Sequence, residues 1–239
     1  MAATGAPSIP RGSFASGLDV SHWQRTIEWP AVAPAGMEFV FIKATDGIRS
    51  SDPYFMMNWG ASKTTGILRS AYHFFRPLED PVRQAEAFLR LTGGYSGDLP
   101  PALDLECSLV KLPDGSQHDQ WEDVPLAERL PRIMVWLQRL QKECGAAPII
   151  YTSRSFWAEK MADTPALQDH PLWVAHYTDA PAPKLPRGWT HWRFWQFSQT
   201  GTVRGIRGKV DLDRFNGSST DLYAMMMAAP SHPQGSRSQ

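Results

Sequence analysis

The stretch PALDLECS, residues 101–108, is a short apolar run in which two carboxylates, Asp104 and Glu106, flank a single leucine. In a β-strand, residues i and i+2 point to the same face and lie about 6.5–7 Å apart. Both carboxylates can therefore reach one bound molecule. The stretch predicts a strand that presents two acids side by side.

Seven further runs of β-branched and aromatic residues surround this stretch. In chain order, the eight strand candidates are SGLDVS, FVFIKATD, RSAYHFF, PALDLE, PIIYTS, LWVAHY, RFWQFS and KVDLDRF. Segments with helical periodicity lie between the early ones. They include DPVRQAEAFLRLT and VPLAERLPRIMVWLQRLQKECG, the second of which ends at a glycine suited to a helix C-cap. The alternation of strand and helix predicts a parallel sheet.

The pattern changes late in the chain. DAPAPKLPRGWTH is too rich in proline for a helix, and GTVRGIRG is typical of a hairpin turn. We therefore predict an α/β fold, a modified and irregular TIM-like barrel of eight strands with helices mainly in the first five units. Residues 16–227 are expected to form this single domain, between a flexible N-terminal arm over residues 1–15 and a disordered tail over residues 228–239.

Composition limits the possible partners. Among 239 residues, 24 Lys and Arg balance 24 Asp and Glu, so the net charge of zero argues against binding to nucleic acid or to an anionic membrane. A monomer is expected. No apolar run approaches the roughly 18 residues of a membrane span, and the first residues lack the features of a secretory signal. A chain that acts outside the cytoplasm would then need release as a phage endolysin or delivery by a dedicated secretion system.

The two cysteines are too few for a disulfide scaffold. Cys107 is expected at the top of its strand and Cys144 near the bottom of the returning helix. A strand of five residues spans about 17 Å, whereas a disulfide joins Cα atoms at most about 7 Å apart. The sequence therefore predicts free thiols.

The acids of several strands are expected to meet at one end of the barrel. In such a barrel the C-terminal strand ends form the active face, where Asp104 and Glu106 would lie. Asp19 ends the first strand candidate, Asp211 and Asp213 lie in the last, and these two strands become neighbours when the barrel closes. Crowding and partial burial raise the pKa of at least one carboxyl, which is what acid-catalysed cleavage of a glycosidic bond requires. The alternative is that LDLE is the solvent face of an ordinary strand.

Histidines at strand ends raise a second possibility. His22, His73 and His176 could bind zinc together with Asp19 and Asp104, as in a metal-dependent deacetylase. The spacing argues against this because neither HxxEH nor HExxH occurs. We expect no metal and no other cofactor.

Taken together, GLDVSHWQ, FVFIKATDG, AYHFF, PALDLE, IIYTS, LWVAHY, FWQFS and VDLDRFNG closely resemble the glycoside hydrolase family 25 lysozymes, the Chalaropsis-type N-acetylmuramidases. The resemblance runs in order from about residue 17 to residue 217. It implies a flattened α/β barrel that hydrolyses the β-1,4 bond between N-acetylmuramic acid and N-acetylglucosamine in bacterial peptidoglycan. A catalytically inactive protein that binds cell-wall glycan on the same fold is the alternative.

The resemblance also implies roles for the acids. Glu106 resembles the family's general acid, and Asp104 resembles the partner that orients or stabilises the 2-acetamido group of the substrate. Asp19 and Asp211 match the other two acids, and Asp211 is preferred to Asp213 by this motif alone.

Neutral and basic residues at the strand ends are the candidates for substrate binding. They are Tyr151, Tyr177, Trp195, Gln196, Lys43, His73 and Trp173. Their aromatic faces, hydroxyls and amides suit sugars, although Tyr and Trp are also common in cores. Lys43 is expected to pair with a carboxylate of the site because a buried, unpaired ammonium is costly. The insert over residues 108–124 is expected to form one wall of the cleft, with Trp121 a candidate sugar platform.

Overall fold

The computed structural model describes residues 14–227, which form an α/β barrel. Its strands are β1 (Ala15–Val20), β2 (Phe39–Asp46), β3 (Ser50–Ser51), β4 (Leu68–Phe74), β5 (Ala102–Asp104), β6 (Leu109–Lys111), β7 (Gln117–Asp119), β8 (Ile149–Ser153), β9 (Leu172–Ala175), β10 (Phe194–Gly201) and β11 (Val210–Phe215). Eight of them close the barrel in the order β1, β2, β4, β5, β8, β9, β10, β11 and back to β1. These eight are the strands predicted from the sequence, so the predicted barrel is confirmed.

One barrel strand runs opposite to the other seven. The pairs from β1 through β10 are parallel, whereas β11 is antiparallel to both β10 and β1. Short β3 extends β2 at the barrel edge, and β6 pairs with β7 in a separate hairpin. The hairpin turn predicted between the last two strands is confirmed.

Helices occupy the connections that follow the first five barrel strands. They are α1 (Trp29–Val32), α2 (Phe55–Ser62), α3 (Pro81–Leu91), α4 (Leu126–Cys144) and α5 (Arg154–Met161), and α6 (Ser219–Met227) follows the barrel. The Asp80 side chain caps α3 by accepting from the Arg83 amide, and α4 ends at Gly145, whose φ of 70° is readily adopted by glycine. Within the described chain, the links from β9 to β10 and from β10 to β11 carry no helix, as predicted.

Strand alternation divides the core into two layers. On β2, Phe39 and Phe41 point into the barrel, where Phe41 stacks on Trp173 with ring centroids 4.0 Å apart. Val40 and Ile42 point outward and pack beneath the helices. Aromatic side chains therefore fill the lower barrel and leave the upper end to polar groups.

The remaining predictions about the chain fall partly outside the described residues. The tail over residues 228–239 lies outside them, as does most of the N-terminal arm, but Ala15 begins β1 and pairs with Phe215. Cys107 is exposed, Cys144 is buried, and both are free thiols. None of the described helices is long and apolar enough to cross a lipid bilayer.

Two glycines provide a matched test of the packing. A Cβ at Gly17 would overlap the Phe39 ring inside the barrel, whereas a Cβ at Gly60, on the exposed side of α2, meets nothing within 4 Å. Gly17→Ala should therefore lower the free energy of unfolding by about 1–3 kcal/mol through overpacking. Gly60→Ala should raise it by up to about 1 kcal/mol through helix propensity. Urea denaturation of both variants measures the difference, and equal effects would contradict the packing described.

Candidate active site

A cavity of about 350 Å³ opens at the C-terminal ends of the barrel strands. Its charged lining residues are Asp19, Lys43, Asp104, Glu106 and Asp211, which come from strands β1, β2, β5 and β11 and from the residues just after β5. Four carboxyls and one ammonium therefore surround one recess. The expected meeting of acids from distant parts of the chain is a feature of the structure.

Asp104 and Glu106 differ in their access to solvent. Asp104 is 5% exposed, and its Oδ1 atom has no hydrogen-bond partner among the described residues. Burial and the neighbouring charge of Glu106 raise the pKa of Asp104. Glu106 is exposed at the mouth, yet the surrounding walls remove enough water to raise its pKa, against the opposing charge of Lys43. The pair can therefore retain a proton, and Glu106 is the member that a ligand can touch.

A second group of acids forms where the barrel closes. Asp19 lies opposite Asp211 in the register of β1 and β11, and Asp213 lies one inward position further along β11. Burial first, then the charges of Asp213 and Asp211, raise the pKa of Asp19. Burial also raises the pKa of Asp211 to about 6 and that of Asp213 to about 7. Asp211 lines the cavity, whereas Asp213 is 1% exposed and accepts a 2.8 Å hydrogen bond from Trp173 Nε1.

Gln196 connects two tyrosines to Asp19. The hydroxyls of Tyr151 and Tyr177 both donate to Gln196 Oε1, over 2.9 and 2.8 Å. With its oxygen engaged in this way, the amide directs Nε2 to Asp19 Oδ2, 2.7 Å away. All four residues line the cavity, so the network fixes one face of it.

Lys43 is held beside the acids by a carboxylate that the sequence analysis does not single out. Its Nζ atom lies 3.1 Å from Asp46 Oδ2, and Arg76 Nη2 lies at the same distance from that oxygen. Burial alone would raise the pKa of Asp46, but hydrogen bonds from Arg76 and the charge of Lys43 outweigh it and lower that pKa. A register shift between Lys43 and Thr45 puts Asp46 opposite Phe74, on the cavity side.

Two predicted substrate-binding residues lie away from the cavity. Trp195 is fully buried in the outer layer, where its Nε1 atom donates to the carbonyl of His176 over 2.8 Å. His73 is also fully buried, stacks on Trp136 and contacts Thr45 and Gln84. Both residues follow an inward-facing neighbour and so point outward. The structure corrects both assignments for this reason, and places the remaining predicted residues at the cavity.

Trp121 is not a sugar platform. Its side chain has no exposed surface, packs against Phe75 and Phe156, and donates from Nε1 to the carbonyl of Glu106 over 2.9 Å. The insert over residues 108–124 therefore stabilises the backbone at Glu106 through this hydrogen bond. The residue type alone does not distinguish a buried Trp121 from a sugar-binding one, because an indole suits a core and a sugar equally well.

The histidines considered for zinc are dispersed. His22 hydrogen-bonds to Asp52 over 3.1 Å, and burial lowers the pKa of His73 to about 4, so its imidazole is neutral. His176 Nδ1 accepts from the Lys184 amide. Within residues 14–227 no group of three or more His, Cys, Asp or Glu side chains is arranged to hold a metal ion.

Some cavity residues were missed by the sequence analysis. Tyr72 and Phe74 alternate inward along β4, and Ser21, Trp23 and Gln24 follow β1 at the same face. The motifs AYHFF and GLDVSHWQ contain all five. Strand alternation applied to the first motif would have identified Tyr72 and Phe74 instead of His73.

Comparisons of this chain with a family model, with known sequences and with solved structures agree with one another. A model of the glycosyl hydrolases family 25 matches residues 18–206. Lysozyme M1 of Streptomyces globisporus is 36% identical over 222 residues, which cover 89% of this chain and 71% of that protein. An N,O-diacetylmuramidase of Chalaropsis is 33% identical over 208 residues, covering 82% and 95%. The crystal structure of a bacterial lysozyme from Streptomyces coelicolor superposes with a TM-score of 0.80 at 36% identity, covering 90% and 97% of the two chains.

The buried acids predict how stability depends on pH. A carboxyl whose pKa is higher in the folded than in the unfolded protein lowers the free energy of unfolding as pH rises. For Asp213 this loss of stability takes place between about pH 4 and pH 7. Asp213→Asn removes this ionisation and can still accept from Trp173. Between pH 5 and pH 8, the variant should therefore lose roughly 1–3 kcal/mol less unfolding free energy than the wild type.

Urea denaturation at the two pH values measures this difference. Asp169→Asn, at an exposed acid remote from the cavity, is the control and should follow the wild type. An Asp213→Asn curve that matches the wild type at both pH values would show that Asp213 ionises freely in the folded protein.

Proposed function

This chain belongs to the glycosyl hydrolases family 25, and on that premise we propose that it is an N-acetylmuramidase acting on bacterial cell walls. The bond cleaved is the β-1,4 linkage between N-acetylmuramic acid and N-acetylglucosamine of peptidoglycan. The observation that carries this proposal is the pairing of an accessible acid, Glu106, with a buried one, Asp104, in a recess lined by further carboxyls. Such a recess suits a neutral sugar and repels anions.

Glu106 is the proposed general acid. Its raised pKa keeps the carboxyl protonated over a wider pH range than in water, and its exposure allows contact with a bound glycan. It transfers its proton to the glycosidic oxygen as the bond to the anomeric carbon breaks, and the electron pair of that bond stays with the oxygen. The water that completes hydrolysis returns a proton to the acid cluster.

Asp104 is the proposed partner of Glu106. Its position at the end of β5, two residues before Glu106, puts it on the same side of the chain and beneath the accessible acid. There it can orient the 2-acetamido group or stabilise positive charge at the anomeric carbon. Its Oδ1 atom is buried and has no hydrogen-bond partner among the described residues, and this burial favours the protonated form of the carboxyl.

Asp19 and Asp211 are proposed to act from the opposite side of the recess. The hydrogen bond from Gln196 to Asp19 holds that carboxyl in place, and the two tyrosines hold Gln196. Tyr151, Tyr177, Lys43 and Trp173 line the same recess and are proposed to contact the sugars. Trp173 is 2% exposed, so it offers an edge of its ring and not an open stacking face.

Substitution of Glu106 tests the proposal. Glu106→Gln keeps the shape of the side chain but removes the transferable proton, so the rate should fall by about 10²-fold or more. Purified peptidoglycan is digested, the products are reduced with borohydride, and the new ends are identified by mass spectrometry. The wild type should release muramitol ends.

Glu86→Gln, at an exposed position of α3, is the matched control and should keep wild-type activity. Glucosaminitol ends would mean that the other glycosidic bond is cut. Absence of new ends from the folded wild-type protein would favour the inactive wall-binding protein, and full activity of Glu106→Gln would exclude Glu106 as the acid.

A further inference from the structure

A second and larger cavity adjoins the proposed catalytic recess. It encloses about 880 Å³ between the loop that follows β1, over residues 23–28, and the turn between β10 and β11, over residues 205–208. Trp23 and Gln24 line both this groove and the recess. One extended ligand can therefore occupy both at once.

The groove has fixed walls. The Glu28 amide donates to the Gly205 carbonyl over 2.8 Å, and Gln24 Nε2 donates to the Lys209 carbonyl over 3.3 Å. Gly205 has a φ of +95°, and a Cβ there would lie 2.6 Å from the Glu28 carbonyl oxygen, so the turn is pressed closely against the loop. Gln24 is held in turn by the Ser21 amide, which donates to its Oε1 over 2.9 Å.

The charge of the groove is opposite to that of the recess. Arg25 and Arg207 are exposed and line it, and neither is in an ion pair with any described residue. Glu28 is the one acidic residue of the lining in this part of the chain. The recess, by contrast, is lined by four carboxyls and one lysine. An anionic group is thus repelled by the recess and attracted by the groove.

Trp23 stands at the boundary between the two regions. Its side chain is 79% exposed, although an indole of this size usually gains stability from burial. It lies beside the His22 ring, with centroids 4.6 Å apart, and most of its surface is open to solvent. An exposed aromatic face beside a row of polar groups suits the apolar face of a sugar ring.

We propose that the groove binds the acidic stem peptide of a muramyl residue, with Arg25 and Arg207 contacting its carboxylates while Trp23 contacts the glycan. The inference rests on the proposed function, because the muramyl residues of peptidoglycan carry short peptides with free carboxylates. Planar guanidinium groups match carboxylates in geometry and charge. The site thus recognises peptide-bearing glycan and not the sugar chain alone.

Two substrates that differ only in the charge of the stem peptide test the inference. One is a preparation of uncrosslinked glycan strands that keep their stem peptides, and the other is the same strands after carbodiimide coupling to methylamine has converted the peptide carboxylates to neutral amides. The double variant Arg25→Ala, Arg207→Ala should lose about tenfold in kcat/KM on the first substrate and less than twofold on the second. New reducing ends measure the rate on both, and Arg25→Lys with Arg207→Lys should restore part of the loss.

The control is Arg83→Ala with Arg90→Ala, two exposed arginines of α3 on the outside of the barrel, and it should match the wild type on both substrates. Equal losses of the groove variant on both substrates, or no loss on either, would overturn the inference and leave the muramidase intact. A wild-type protein that cleaves neither substrate would overturn the proposed function and the inference with it. Activity on the amidated strands serves as the check that the groove variant is folded.

Discussion

The antiparallel pairing of β11 with β1 closes the barrel and places Asp19 directly opposite Asp211. Because Asp213 faces the same side two residues further on, closure necessarily brings three carboxyls together. A parallel last strand would present its acids in another register and at the other end. The chain therefore obtains its acid cluster from the same hydrogen bonds that complete the sheet, and the irregular final strand is part of the chemistry.

Buried carboxyls make the fold less stable at neutral pH, since each one loses hydration on folding. The lower barrel offsets this with dense aromatic packing, in which Phe41 lies against both Trp173 and Phe194. Trp173 belongs to both regions, because its ring stacks in this core while its Nε1 atom donates to Asp213. Displacement of that ring would therefore disturb both the apolar packing and the acids above it.

Strand periodicity and the order of motifs were sufficient to predict the barrel and the four acids around its mouth. The errors came from side-chain direction. Trp195 and His73 lie on the correct strands but one position out of phase, so they face the helices. Asp46 was missed for the opposite reason, because a register shift after Lys43 turns it toward the cavity. No residue pattern marks such a shift, since it depends on how β2 pairs with β4.

The placement of positive charge explains how acids with raised pKa values can coexist with nearby cations. A free lysine beside Glu106 would favour its ionised form and remove the proton required for catalysis. Lys43 and Arg76 instead share Asp46, which offsets one of their two positive charges, and burial still raises the pKa of Glu106 against the remainder. Arg25 and Arg207, which form no ion pair with the described residues, line the adjoining groove that Trp23 shares with the recess. Separation of charge between the two cavities thus lets one surface hold a protonated acid and still attract an anionic part of the substrate.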